Sequence, residues 1–146
     1  MNQTVKKLTR QCALLVLIAG AAWAAGYRHA RGQTPAGQAK PLFSAPLPNV
    51  PGKRITAVVV DYAPGGESAK HHHAGSVLAY VVSGTIRSQN SVTGPVRDYR
   101  AGEAFFEPPG SVHLVSENAS ATEPARLLAI FVADDGARLT MPGDSE

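Results

Sequence analysis

Three of the five histidines stand side by side in the stretch Lys70-His71-His72-His73-Ala74. In an extended strand the side chains at i and i+2 share a face, so His71 and His73 point one way and His72 the other. Two imidazoles at that spacing suit one metal ion if they face into a barrel, and a third nitrogen must then come from elsewhere. His113 follows the turn Pro108-Pro109-Gly110, and a strand starting there would bring it beside the pair. Spacing alone also fits an exposed histidine cluster with weak metal affinity beside Gly65-Gly66. Two carboxylates are candidates for an oxygen ligand. Glu107 is embedded in the apolar run AFFEPP, and Glu67 has the same strand parity as His71 and His73. The plainer reading of either is a solvated loop acid.

The elements that must position these residues are short and rich in β-branched and aromatic side chains. They read ITAVVVDYA, SVLAYVVSG, TIRSQ, PVRDYRAG, EAFFEPPG, SVHLVSEN and ARLLAIFVA, separated by APGG, QNSVTGP and ENASATEP. Turn signals at intervals of roughly 8–12 residues predict an all-β sandwich or barrel. ARLLAIFVA begins after Pro124 and is too short for a typical helix, so it reads as a buried strand. Gly84, Gly102 and Gly110 are expected at turns with positive φ. Phe105, Phe106, Tyr80 and Phe131 are expected in the core. Arg87, Arg97 and Arg100 lie on strands of alternating polarity and read as a solvated face.

Two segments carry a family likeness. In the first, Gly65 is followed by five residues, then His71-x-His73, with Gly84 closing the segment after AYVVS. In the second, Gly102 and five residues lead to Pro108-x-Gly110, two residues and His113. These resemble the paired motifs of the cupin superfamily, and most closely its small single-domain bacterial members. The resemblance covers about residues 54–133 and implies a cupin-type jelly-roll β-barrel. It further implies a divalent metal held by His71, His73 and His113, and a small molecule bound at the barrel mouth. Two departures matter. The glutamate of the first motif is replaced by Val77, which cannot bind metal, and Glu117 stands where the second motif often has asparagine, with Asn118 one place later. Either the site is a three-histidine centre with open positions, as in the three-histidine thiol dioxygenases of the superfamily, or Glu107 or Glu67 supplies the missing oxygen. Imidazole suits Zn, Cu, Fe and Ni, and a carboxylate adds Mn. The resemblance allows a metal-dependent dioxygenase or isomerase. A non-catalytic module that binds or senses a small molecule or metal is the competing class, and a metal-free structural barrel is the third.

The first 27 residues read as a signal peptide or N-terminal membrane anchor, forming an apolar helix. Lys6, Lys7 and Arg10 precede an uncharged stretch from Gln11 to Tyr27, and Ala22 and Ala24 fit a small-residue cleavage site. The expected location is therefore exported, either periplasmic or anchored in the inner membrane facing the periplasm. Residues 28–52 read as a Pro/Gly/Ala-rich linker, in which Leu42, Phe43 and Leu47 would pack as an extended strand on the domain edge. The barrel is expected over 53–136 and a tail over 137–146. Setting aside the three leader cations, the 14 basic residues fall to 11 against 11 acidic ones, which argues against a nucleic-acid partner. A homodimer is the expected protein partner. Cys12, the single cysteine, lies in the leader, so the domain has no thiol chemistry.

Overall fold

The computed structural model describes residues 36–143, so the expected leader, its apolar helix and the first part of the linker lie outside the described residues. Ten strands follow in chain order: β1 (Gln38–Pro46), β2 (Lys53–Tyr62), β3 (His71–His73), β4 (Ser76–Ser83), β5 (Thr85–Asn90), β6 (Arg97–Arg100), β7 (Ala104–Glu107), β8 (Val112–Asn118), β9 (Ala125–Asp134) and β10 (Thr140–Pro142). They form two five-stranded antiparallel sheets, ordered β1-β2-β9-β4-β7 (sheet I) and β10-β3-β8-β5-β6 (sheet II).

Sheet I is built on β9. That strand pairs with β2 from Lys53↔Asp134 to Tyr62↔Ala125, and on its other edge with β4 from Ser76↔Val132 onward. A strand flanked on both sides needs apolar residues that fit a pleated surface, and ARLLAIFVAD supplies them. Alternation then sends Leu127, Ala129, Phe131 and Ala133 inward, where they meet Val77, Ala79 and Val81 of β4. Val77, Ala79, Val81 and Ile86 are completely buried, and the core is continuous from Tyr62 and Phe105 to Val58 and Phe131.

Tight turns set the strand order. Gly84 joins β4 to β5 with φ 73°, and a Cβ there would lie 2.7 Å from the carbonyl oxygen of Pro124, so only glycine fits. Gly110, with φ 75°, completes the Pro108-Pro109-Gly110 turn that reverses the chain between Glu107 and His113.

Some expectations need correction. The extended edge strand expected inside the linker is present as β1, which pairs with β2 from Gln38↔Asp61 to Pro46↔Arg54 with a bulge between Pro41 and Phe43, but it ends before Leu47. Almost every residue of β1 is exposed, Leu42 and Phe43 included, so the strand is held by main-chain pairing and leaves no burial period to read. Pro41 is tolerated because β1 is an edge strand. Part of the expected tail likewise forms β10, paired with β3 through Thr140↔His73 and Pro142↔His71. Phe105 and Phe131 are buried as expected, but Tyr80 and Phe106 are 42% and 50% exposed. They alternate with inward neighbours and stand on the outer face of sheet I.

Candidate metal centre

β3 is three residues long and is held on both edges. His71↔His113 and His72↔Val112 pair it with β8, while β10 covers its other side. His71, His73 and His113 therefore come from adjacent strands of sheet II and turn toward the interior. One ring nitrogen from each lies within 4.8 Å of the others. The His71 ring centroid is 4.8 Å from that of His73 and 5.0 Å from that of His113. His72 has the opposite parity and stays outside the cluster, as alternation predicts.

The tautomers of two rings follow from their partners. His71 Nδ1 lies 2.6 Å from the Ala69 carbonyl oxygen and His73 Nδ1 2.9 Å from that of Leu139. A carbonyl only accepts, so each Nδ1 carries the hydrogen and each Nε2 keeps its lone pair. Backbone anchoring of this kind orients a metal-ligating imidazole. Phe131 packs edge-on against His73 at 5.1 Å and further limits its rotation. His113 shares a 2.9 Å hydrogen bond between Nε2 and the hydroxyl of Ser88 on β5. Ser88, which the sequence reading missed, could have been found from its place between the inward positions Ile86 and Asn90.

The decisive group is Glu107. Its residue is 3% exposed, with Oε2 at 3.0 Å from His113 Nδ1 and 3.8 Å from His73 Nε2. The His113 Nδ1 approach is short enough to favour the ionised carboxylate but lacks the alignment of a full N–H···O hydrogen bond. Oε2 is the one buried side-chain polar atom among the described residues without a hydrogen-bond partner. Other buried polar groups nearby are satisfied: Asn90 donates to Ser111, Asn118 to the carbonyls of Ala63 and Glu123, and Ser116 shares a bond with the Tyr62 hydroxyl. A buried carboxylate oxygen in such surroundings suits a positive partner.

Electrostatics agree. Burial raises the Glu107 carboxyl, but His113 beside it and the His73 and His71 rings outweigh burial and leave it below the ordinary value. Burial lowers His71 and His73 below the ordinary imidazole value, against the opposing pull of the Ala69 carbonyl on one and Glu107 on the other. At neutral pH the carboxylate is thus ionised, and the His71 and His73 rings favour the neutral form. When Ser88 accepts the His113 Nε2 hydrogen, the Nδ1 lone pair joins the group. Three ring nitrogens then lie within 4.8 Å of one another, a donor set that suits a divalent transition-metal ion, and Glu107 Oε2 adjoins two of the rings.

Register explains why Glu107 stands there. Val77 of β4 is the cross-strand partner of Glu107 on β7, and both point inward. A carboxylate thus stands on the neighbouring strand directly opposite Val77. Glu67 does not join them, since it is exposed and bridges Ala36 and Glu117. His29 lies outside the described residues. A cavity of about 610 Å³ opens above the centre, with Val60, Leu127 and Leu139 among its apolar walls and Lys70 and Arg138 among its charged ones.

Comparison with known proteins agrees with this architecture. A conserved double-stranded beta-helix protein of Klebsiella pneumoniae is 23% identical, with a TM-score of 0.57 over 80% of this chain and 90% of that one. A Cupin 2 conserved barrel domain protein of Salinispora arenicola is 26% identical, with a TM-score of 0.52 over 67% of this chain and 76% of that one. Oxalate decarboxylase of Bacillus subtilis is 19% identical at a TM-score of 0.57, covering 75% of this chain but 28% of that one. No curated protein matches the sequence. The Cupin domain family model matches residues 58–131, a span that contains His71, His73, Glu107 and His113. The chain belongs to the cupin family.

Proposed function

We propose that this cupin holds a divalent cation between His71, His73, His113 and Glu107 and binds a small molecule in the cavity above it. The observation that carries the reading is the buried Glu107 Oε2, which faces ring nitrogens and has no hydrogen-bond partner. A bound ion would supply Lewis acidity and a binding point for a chelating group. The chain's own residues hold the imidazoles in one tautomer, surround the ion with apolar walls and keep Glu107 ionised. The catalytic form of the proposal is an isomerase or dioxygenase acting on that small molecule. Elemental analysis of untagged, dialysed protein tests it, with one transition-metal ion per chain expected and its loss in His73→Ala. Metal-free protein that cannot be loaded would overturn it.

A non-catalytic binding module is the second reading. Glu107 is the only carboxylate among the residues lining the cavity. If it binds the ion, no free carboxylate is left there for proton transfer. Turnover by the loaded protein decides against this reading, and tight ligand binding without turnover favours it.

The proposal also places the domain outside the cytoplasm, because the charged and apolar pattern of residues 1–27 is that of an export signal or anchor. N-terminal sequencing of membrane and periplasmic fractions checks this. Cytosolic chains with an intact Met1 would contradict it.

A further inference from the structure

We propose that the cavity selects a small organic anion, a carboxylate with an apolar body, through Arg138 and Lys70. The inference rests on the cavity being the ligand site, as argued above. Most of the cations in the domain are neutralised by acids. Lys53 pairs with Asp134, Arg54 with Asp135, Arg87 with Asp98 and Glu117, Arg97 with Glu103 and Arg126 with Asp61. Lys40, Lys70, Arg100 and Arg138 have no carboxylate partner among the described residues, and of these only Lys70 and Arg138 line the cavity. Lys70 immediately precedes β3, and Arg138 precedes Leu139, whose carbonyl anchors His73. Both cations are therefore tied in sequence to the strand segments that position the histidines. The same cavity is lined by Val58, Val60, Leu127, Ala129, Leu139 and Met141, a lining that rewards an apolar body. A guanidinium offers paired donors that match a carboxylate. A cavity of about 610 Å³ lies within the range for small-molecule sites.

Calorimetry with the full-length protein tests the idea, using benzoate, phenylacetate and 4-phenylbutyrate against their amides. The carboxylates are expected to bind at least about tenfold more tightly, since a charge-assisted hydrogen bond contributes about 1.5–3 kcal/mol. A bound ion would itself attract carboxylates, so the deciding comparison is Arg138→Gln with Lys70→Gln. The proposal expects the double variant to lose most of the preference for acid over amide, with metal content unchanged. A preference that survives both substitutions overturns it, as does equal binding of acid and amide by the parent. Repeating the series in His73→Ala separates the two readings. A cation-dependent preference in that variant supports the anion site whether or not the metal centre stands.

Discussion

The two sheets divide the work of this small barrel in opposite ways. Sheet I turns an almost wholly apolar face inward, with Val58, Val77, Val81, Leu127 and Phe131, and carries further apolar residues outside. Sheet II turns His73, Ser88, Asn90, His113, Ser116 and Asn118 inward and places the Asp98–Arg87–Glu117 ion-pair ladder outside. Strand alternation is the same in both, so the difference lies in which residue type occupies which parity. One sheet provides a dry wall and the other provides donors. Glu107 is the exception, a charge on the apolar sheet aimed at the donors of the other. Chemistry in this fold needs both parts, since a carboxylate is a strong partner for a cation only where water is scarce.

The largest expected effect comes from removing a donor of sheet II. His71→Ala or His73→Ala should weaken metal affinity by more than about 100-fold, beyond the about 10–100-fold typical of losses around a ligand set. Titration with a competing chelator measures it. Retention of full affinity would place the ion elsewhere.

Removing the exception from sheet I should act on binding and on stability. Glu107→Gln is expected to lower metal affinity by about 10–100-fold. The same change should also lower the neutral-pH stability of the metal-free protein in urea unfolding, because a carboxyl held below its ordinary value stabilises the fold once ionised, a contribution lost as pH falls through the folded value. A solvated acid would change neither. Adding Val77→Glu to Glu107→Gln should recover much of the affinity, since positions 77 and 107 are cross-strand partners on the same inner face.

A smaller effect tests the seam between the sheets. The Tyr62 hydroxyl of sheet I lies 2.9 Å from both Ser116 of sheet II and Ser68. Burial raises its pKa above the ordinary value near 10, more than the two serine contacts lower it. A raised folded value means that folding favours the neutral phenol. Its contribution to stability is full below about pH 10 and is lost as pH climbs through the folded value. Tyr62→Phe should flatten the alkaline fall of the unfolding free energy and cost about 1 kcal/mol at neutral pH. An identical alkaline profile in the variant would assign the fall to other groups.

The smallest effect is expected at His72. It pairs with Val112 and Met141 on the strands beside it and lies outside the donor cluster, so His72→Ala should leave metal affinity within about twofold. A loss equal to that of its neighbours would reveal a loose surface cluster.

These contrasts also explain what was legible beforehand. The strands from Lys53 to Asp134 announce themselves by alternating burial and by Gly and Pro at their ends, and His71, His73 and His113 follow from parity and turn position. β10 was hidden, and β1 was expected only as an extended segment of a linker, because their pairing is made by the main chain and their side chains carry no period of burial. Exposure of Tyr80 and Phe106 was hidden for a related reason. Composition tells that an aromatic is apolar but not which face of a sheet lacks a covering layer. Glu107 was a candidate from its apolar neighbours, yet its place opposite Val77 depends on the β4–β7 register, which no local pattern encodes. Ser88 and the anchoring carbonyls of Ala69 and Leu139 depend in the same way on pairing and loop geometry.

The central claim is that Glu107 completes a metal centre begun by three histidines. Anomalous scattering at the absorption edge of the metal found in crystals of the loaded protein tests it most directly. The account predicts a single peak within about 2.0–2.2 Å of Nε2 of His71 and His73, a ring nitrogen of His113 and Oε2 of Glu107. A peak bound by the histidines with Glu107 turned away would contradict the claim and leave a three-histidine centre, and a peak at His72 or none at all would contradict the site itself.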